Sequence, residues 1–205
     1  MDQRAKLVHA ARRLSEIGGF TATDGNLSAR VSSNVFWISP AGVEKGSIVE
    51  ADFVHIDEHG QKLSGEGEPS TEWAVHLALY RMRDDTNAVL HTHTPYLTTF
   101  AAAHRIPDTA ILAEAGLAIG GICSVPYAPP GSASLAEQIT HCGGNSGVYL
   151  LENHGAVAVG KTVMEALHRM ERAEFLAKVS LLAEKIGGGV SLSNAQLEQL
   201  QQLGR

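Results

Sequence analysis

The stretch GVYLLENHGAVAVG, residues 147–160, constrains the fold more than any other. Two apolar runs, 147–151 and 156–160, are separated only by Glu152, Asn153, His154 and Gly155. A parallel pair needs a crossover of about a dozen residues or more, so strands this close in sequence pair antiparallel. β-rich runs at 27–31, 35–39 and 53–57 likewise follow one another across turns, and 88–91 and 122–127 read as further strands. Helical patterns interleave with them. Leu7, Val8, Ala11, Leu14 and Ile17 share one face of a helix over 2–17, which Gly18 and Gly19 end. Pro69-Ser70-Thr71 opens a helix through about Arg83, with Trp73, Leu77 and Tyr80 on one stripe. Residues 95–104, with Pro95 in the first turn, and 134–140 read as helices. Thr162-Val163-Met164-Glu165 is a capping box for a long helix to Ile186, stopped by Gly187-Gly188-Gly189. An amphipathic segment with Leu197, Leu200 and Leu203 follows. The pattern predicts one α/β domain over residues 1–205. It has three layers, α/β/α, around a central, largely antiparallel mixed sheet.

Charge and composition exclude several functions. The net charge is −6 and no basic run or stripe occurs, which argues against a nucleic-acid partner. No apolar stretch approaches the ~20 residues of a membrane helix. The N-terminus MDQRAKLVHAARRL carries charges throughout and lacks a signal peptide's apolar core, so a cytoplasmic location is expected. In that reducing setting Cys123 and Cys142 read as two free thiols.

The chemistry concentrates in AVLHTHTP, residues 88–95. Residues i and i+2 of a strand point to one side, so His91 and His93 can converge where the strand ends. Imidazole nitrogens at about 2.0–2.1 Å suit zinc, and a catalytic site needs a third protein ligand. His154 is the natural third: it too follows an apolar strand, with Gly155 allowing a tight turn. His9, His55, His59, His104, His141 and His168 sit without evident partners, while His76 lies one helical turn after Glu72 and suits a structural or outer-sphere role. Glu72 sits at the start of its helix, where the dipole favours a carboxylate, and beside a zinc site it becomes the natural general base. Three segments offer small residues and backbone N–H groups to an anion: TDGNLS (23–28), SPAG (39–42) and PST (69–71). Gly25 and Gly42 allow close approach, and Asn26, Ser70 and Thr71 offer donors.

Taken in order, TDGNLSAR, ISPAGV, PSTEWAVHLALYR, AVLHTHTPY, VPYAPPGS and LLENHGAVAVGKTVMEAL resemble the class II aldolase/adducin family, most of all its L-fuculose-phosphate aldolase branch. The resemblance covers about residues 5–186. It implies a homotetramer with active sites near subunit interfaces and a small sugar phosphate as substrate. It also implies Zn2+, or another divalent transition metal, on His91, His93 and His154, with Glu72 as the acid–base residue. Gly25, Asn26, Gly42, Ser70 and Thr71 would cradle the substrate phosphate. The implied reaction cleaves a ketose 1-phosphate to dihydroxyacetone phosphate and an aldehyde through a metal-stabilised enediolate. The chain departs from that branch in three places. IPDTAILAEAG (106–116) has no tyrosine after its Ile-Pro, Ala41 stands where a hydroxyl residue is common, and the C-terminus is short. Glu114 is a candidate substitute acid, as in the related methylthioribulose-1-phosphate dehydratases. The alternative enzyme reading is a methylthioribulose-1-phosphate dehydratase or another sugar-phosphate epimerase or decarboxylase of the family; Glu72, rather than aspartate, leans towards aldolase or dehydratase and away from the pentose-phosphate 4-epimerases. A non-catalytic adducin-like module would not need the three histidines and Glu72.

Overall fold

Strands β1 (Asn26–Ser32), β2 (Val35–Ile38), β3 (Val54–Asp57), β4 (Lys62–Ser64), β5 (Ala88–Thr92), β6 (Ile122–Val125), β7 (Val148–Leu151) and β8 (Gly155–Gly160) form one sheet in this computed structural model. Their order is β4-β3-β2-β1-β5-β8-β7-β6. Every neighbouring pair is antiparallel except β6–β7. The described residues are 2–203; Met1, Gly204 and Arg205 lie outside them, as do the side chains of Gln201 and Leu203 and the burial of Gly116.

Strand periodicity splits the core in two. Ala88 and Leu90, Val148 and Leu150, and Ala156 and Ala158 face helices α1 (Gln3–Glu16), α3 (Pro95–Ala102) and α6 (Val163–Glu184). Val89, Tyr149, Leu151, Val157 and Val159 face α2 (Trp73–Met82) and α5 (Ala133–His141). This is the expected three-layer α/β/α arrangement with a largely antiparallel sheet. Outside it, α4 (Ala113–Ala118) contacts α6 and α7 (Asn194–Leu203). Among the described residues no helix is long and apolar enough to cross a membrane.

The differences from expectation are local and have physical causes. β4 carries the wholly exposed sequence KLS, so no alternation of polar and apolar residues announces it. α2 starts at Trp73, not at 69–71, because the Ser70 N–H bonds to the Ser39 carbonyl at 3.1 Å and holds that segment against the sheet. Cys123 and Cys142 form a disulfide, not two free thiols. The parallel pairing of β6 with β7 makes α5 return past β6, and this brings their Cα atoms to 6.3 Å, within the span of such a bond.

Candidate metal centre

His91 lies in β5 on the side shared with Val89, facing the α2 layer, and is paired in register with Asn26 of β1 and Val157 of β8. His93 follows the end of the strand, where its backbone N–H bonds to Gly19 at 2.8 Å. His154 closes the turn between β7 and β8, after Asn153 in the left-handed region at φ 57°. One ring nitrogen of each histidine lies within 4.8 Å of the others. Nδ1 of His91 faces the Ala156 carbonyl at 3.1 Å. A carbonyl only accepts, so the proton sits on Nδ1 and Nε2 carries the lone pair.

That lone pair points at its neighbour: the Nε2 atoms of His91 and His93 are 3.2 Å apart. Two nitrogens bound to one tetrahedral zinc ion at the usual bond length lie about 3.3 Å apart. Glu72 closes the group, with Oε2 at 3.2 Å from His91 Nε2 and Oε1 at 3.6 Å from His154 Nε2. Oε1 is buried and has no hydrogen-bond partner. A divalent metal fits this donor set, since Nε2 of His91 offers a lone pair and Glu72 Oε1 has no other partner. Burial pushes His91 down to about 3 and also lowers His93 and His154, so all three are neutral, as ligands must be. Burial works to raise Glu72, while any positive charge on His91 and the Asn26 hydrogen bond lower it, and the net shift is downward. Asn26 Nδ2 donates to Oε2 at 2.7 Å, and this contact persists when the imidazoles are neutral.

Gly155 is where the two ligand-bearing segments touch. A Cβ there would sit 2.5 Å from His93 Cδ2 and 2.6 Å from the Thr92 carbonyl oxygen. Gly155→Ala should therefore displace His93, cost about 1–3 kcal/mol of stability and weaken metal binding without removing a donor. Thermal melts and metal titration of the variant check this. Unchanged metal affinity would show that the close approach does not set the ligand geometry.

One turn beyond Glu72, His76 is wholly buried between Ser28 and Asn26. Burial pushes its pKa down to about 4, against about 6.5 in an unfolded chain. The folded value is the lower one. Its contribution is therefore intact above about pH 6.5 and is lost as pH falls towards about 4, at up to about 1.4 kcal/mol per pH unit. Urea unfolding of the metal-free protein between pH 7 and pH 5 should show a steeper loss for the wild type than for His76→Gln.

The structure brings the three segments expected to meet an anion together. Leu27 and Ser39 exchange a backbone bond at 2.9 Å and a bond from Leu27 N–H to Ser39 Oγ at 3.1 Å; Ser39 in turn accepts from Ser70. Gly25, at φ +73°, packs so closely that a Cβ would meet Phe20 at 2.6 Å and the His91 carbonyl at 2.8 Å. Gly42 and Thr71 are exposed, Ser70 is buried, and the Ser70 Oγ accepts from the Glu72 N–H at 3.3 Å. Asn26, expected as an anion donor, spends its side chain on Glu72 and His76.

Some groups were not legible in the chain. Lys45 is buried, and its Nζ donates to the Thr23 carbonyl at 2.8 Å and the Val43 carbonyl at 2.5 Å, tying the loops around 23 and 43. Asp24 approaches His93 Nδ1 at 3.8 Å. Neither has a periodic or spacing signal. Ser28 and Asn26 did have one: polar residues two apart on a buried strand. His55 and His104, expected to lack partners, bond to Ser64 at 3.0 Å and Asn153 at 2.7 Å. Glu114 is exposed in the first turn of α4, on a recess lined by Glu171, Arg172 and Phe175, apart from the histidines. A recess of about 680 Å³ between α2 and α5 contains none of the candidate site residues.

The sequence profile described as the Class II Aldolase and Adducin N-terminal domain matches residues 5–181. An L-fuculose phosphate aldolase of Methanococcus maripaludis is 33% identical over 162 residues, 79% of this chain and 87% of that protein. A 3-oxo-tetronate 4-phosphate decarboxylase of Haemophilus influenzae is 29% identical and covers 99% of this chain and 98% of its own length. The solved structure of an L-fuculose 1-phosphate aldolase superposes with a TM-score of 0.88 at 30% identity, covering 99% of this chain and 96% of its own.

Proposed function

The chain belongs to the class II aldolase and adducin N-terminal domain family, and from that premise we propose that it reversibly cleaves a ketose 1-phosphate to dihydroxyacetone phosphate and an aldehyde. Its enzyme class is that of a class II aldolase, a carbon–carbon lyase. The observation that supports the reading best is the convergence of three imidazoles and one buried carboxylate with an unpartnered oxygen.

His91, His93 and His154 would hold the metal, zinc by preference for this donor set. Bound there, it would supply Lewis acidity to the substrate's carbonyl and adjacent hydroxyl oxygens. Glu72 does the proton transfer. In condensation its Oε1 takes a proton from C3 of dihydroxyacetone phosphate, and in cleavage it returns that proton to the same carbon. Gly25, Gly42, Ser70 and Thr71 hold the phosphate, with Asn26 at the border between cradle and carboxylate. Lys45 keeps the 23–25 and 41–43 loops in register beneath it. We carry over the homotetramer with active sites near subunit interfaces as part of this reading, and sedimentation of the purified protein tests it.

A decarboxylase of a 3-oxo acid phosphate is the second reading, favoured by the near full-length match to the Haemophilus protein. It would use the same metal and cradle but needs no base to open a C–H bond. The dehydratase reading is weaker, because its candidate acid Glu114 lies on a separate recess of this chain.

The test is incubation of the metal-loaded protein with dihydroxyacetone phosphate alone in deuterium oxide, with NMR of the C3 protons. Stereospecific exchange that a chelator abolishes supports the aldolase. Absence of exchange in protein shown to hold its metal would reject it, and carbon dioxide release from a 3-oxo acid phosphate would then be assayed.

A further inference from the structure

Between β1 and α2 runs a buried polar stripe that the reaction above uses only at one end. Glu72, His76 and Tyr80 are spaced four apart, so they share one face of α2. Asn26 and Ser28 are two apart and share one face of β1. All five side chains are buried. They form one unbroken hydrogen-bonded series: Tyr80 Oη to Ser28 Oγ at 2.8 Å, Ser28 Oγ to His76 Nδ1 at 2.6 Å, His76 Nε2 to Asn26 Oδ1 at 2.5 Å and Asn26 Nδ2 to Glu72 Oε2 at 2.7 Å.

The direction of every bond follows from the carboxylate. Asn26 Nδ2 donates to Glu72 Oε2, so the amide presents its NH2 to the carboxylate and its oxygen to His76. An amide oxygen only accepts, so His76 carries its proton on Nε2. Nδ1 is then an acceptor, and Ser28 donates to it. The Ser28 oxygen in turn accepts a hydrogen bond from the Tyr80 hydroxyl. The series ends in the core at Tyr80, whose hydroxyl burial keeps protonated.

We propose that His76 is a positioning residue for proton transfer: locked as its Nε2–H tautomer by Ser28, it fixes the Asn26 amide, which anchors Glu72 through Oε2 and leaves Oε1 as the oxygen that meets the substrate proton. The inference rests on the role given to Glu72 above. The series orients and does not conduct. Asn26 stands between His76 and Glu72, and an amide passes a proton on only by becoming its imidic acid. Without that anchor the carboxylate could rotate, and both its oxygens would compete for the three imidazoles. Outer partners of this kind are worth about 10–100-fold where they orient a reacting or ligating group.

Two measurements on the full chain decide it. In metal-free protein labelled with 15N-histidine, two-bond proton–nitrogen spectra at pH 7 should show His76 protonated on Nε2 and bare on Nδ1, assigned by its loss in His76→Gln. An Nδ1–H tautomer or an imidazolium there overturns the proposal. In metal-loaded protein, His76→Leu should keep its metal and its KM for dihydroxyacetone phosphate while the exchange rate falls about 10–100-fold. His76→Gln, whose amide N–H can still donate to Asn26, should restore most of that rate. A His76→Leu rate equal to the wild type's, or no rescue by glutamine, overturns the proposal. If His76→Leu does not fold, Ser28→Ala takes its place. Losing the donor to Nδ1 should then yield a mixture of tautomers and a slower exchange, and an unchanged tautomer and rate would overturn the inference. Should the wild type itself exchange no proton, the aldolase reading fails by itself, and the tautomer spectrum still decides the arrangement of His76.

Discussion

Glu72→Gln is expected to keep its metal and to slow C3 exchange of dihydroxyacetone phosphate by about 10²–10⁴-fold, the range for loss of a positioned acid–base group. The substitution preserves shape. Its amide oxygen can still accept from Asn26 Nδ2, now at 2.7 Å from the carboxylate. What it lacks is a basic oxygen at the position of Oε1, buried and unpartnered 3.6 Å from His154. Metal content by elemental analysis and exchange by NMR separate the two contributions. Full exchange in the variant would remove Glu72 from the mechanism. A parallel loss of metal would make it a ligand rather than a base.

His93→Ala should lose metal and exchange together while the fold persists. His93 is the ligand best suited to this test, since its side chain is 20% exposed and lies beyond the end of β5. His91 is buried within the strand and bonded to Ala156, so its removal would confound ligand loss with a core defect. Outer-partner mutations already cost about 10–100-fold in metal affinity, and a direct ligand should cost more. Metal titration and circular dichroism of the variant check both halves of the expectation. Wild-type metal affinity would place the ion elsewhere.

The order of strands and helices could be read from the chain because its signals are local. Two-residue alternation and the apolar faces of helices are properties of short windows, as are the Gly18-Gly19 stop and the Thr162 cap. β4 and α4 escaped because their residues carry little pattern: KLS is fully exposed, and AEAGLA is mostly small residues. At the site, His91, His93 and His154 were visible through strand-end spacing, and Glu72 through its place at a helix start. Asn26 was visible as a donor, but its commitment to Glu72 was not. That depends on β1 lying beside α2, a contact between residues 46 positions apart. The same holds for Lys45, whose ammonium reaches carbonyls that only the folded loops bring to it.

By itself, then, the sequence determined most of the elements, the antiparallel pairing across short turns, the family and the residue types that meet at the candidate metal centre. Tertiary structure alone decided the remainder. The sheet order puts β5 between β1 and β8, so Asn26 and Val157 flank His91 in register. The parallel β6–β7 pair joins Cys123 to Cys142. The packing of α2 over β1 turns five scattered polar residues into one directed series. The physical reason is that backbone propensity and side-chain periodicity act over a few residues. Hydrogen-bond direction, tautomer and ligand geometry are set only when strands and helices distant in sequence exclude water between them.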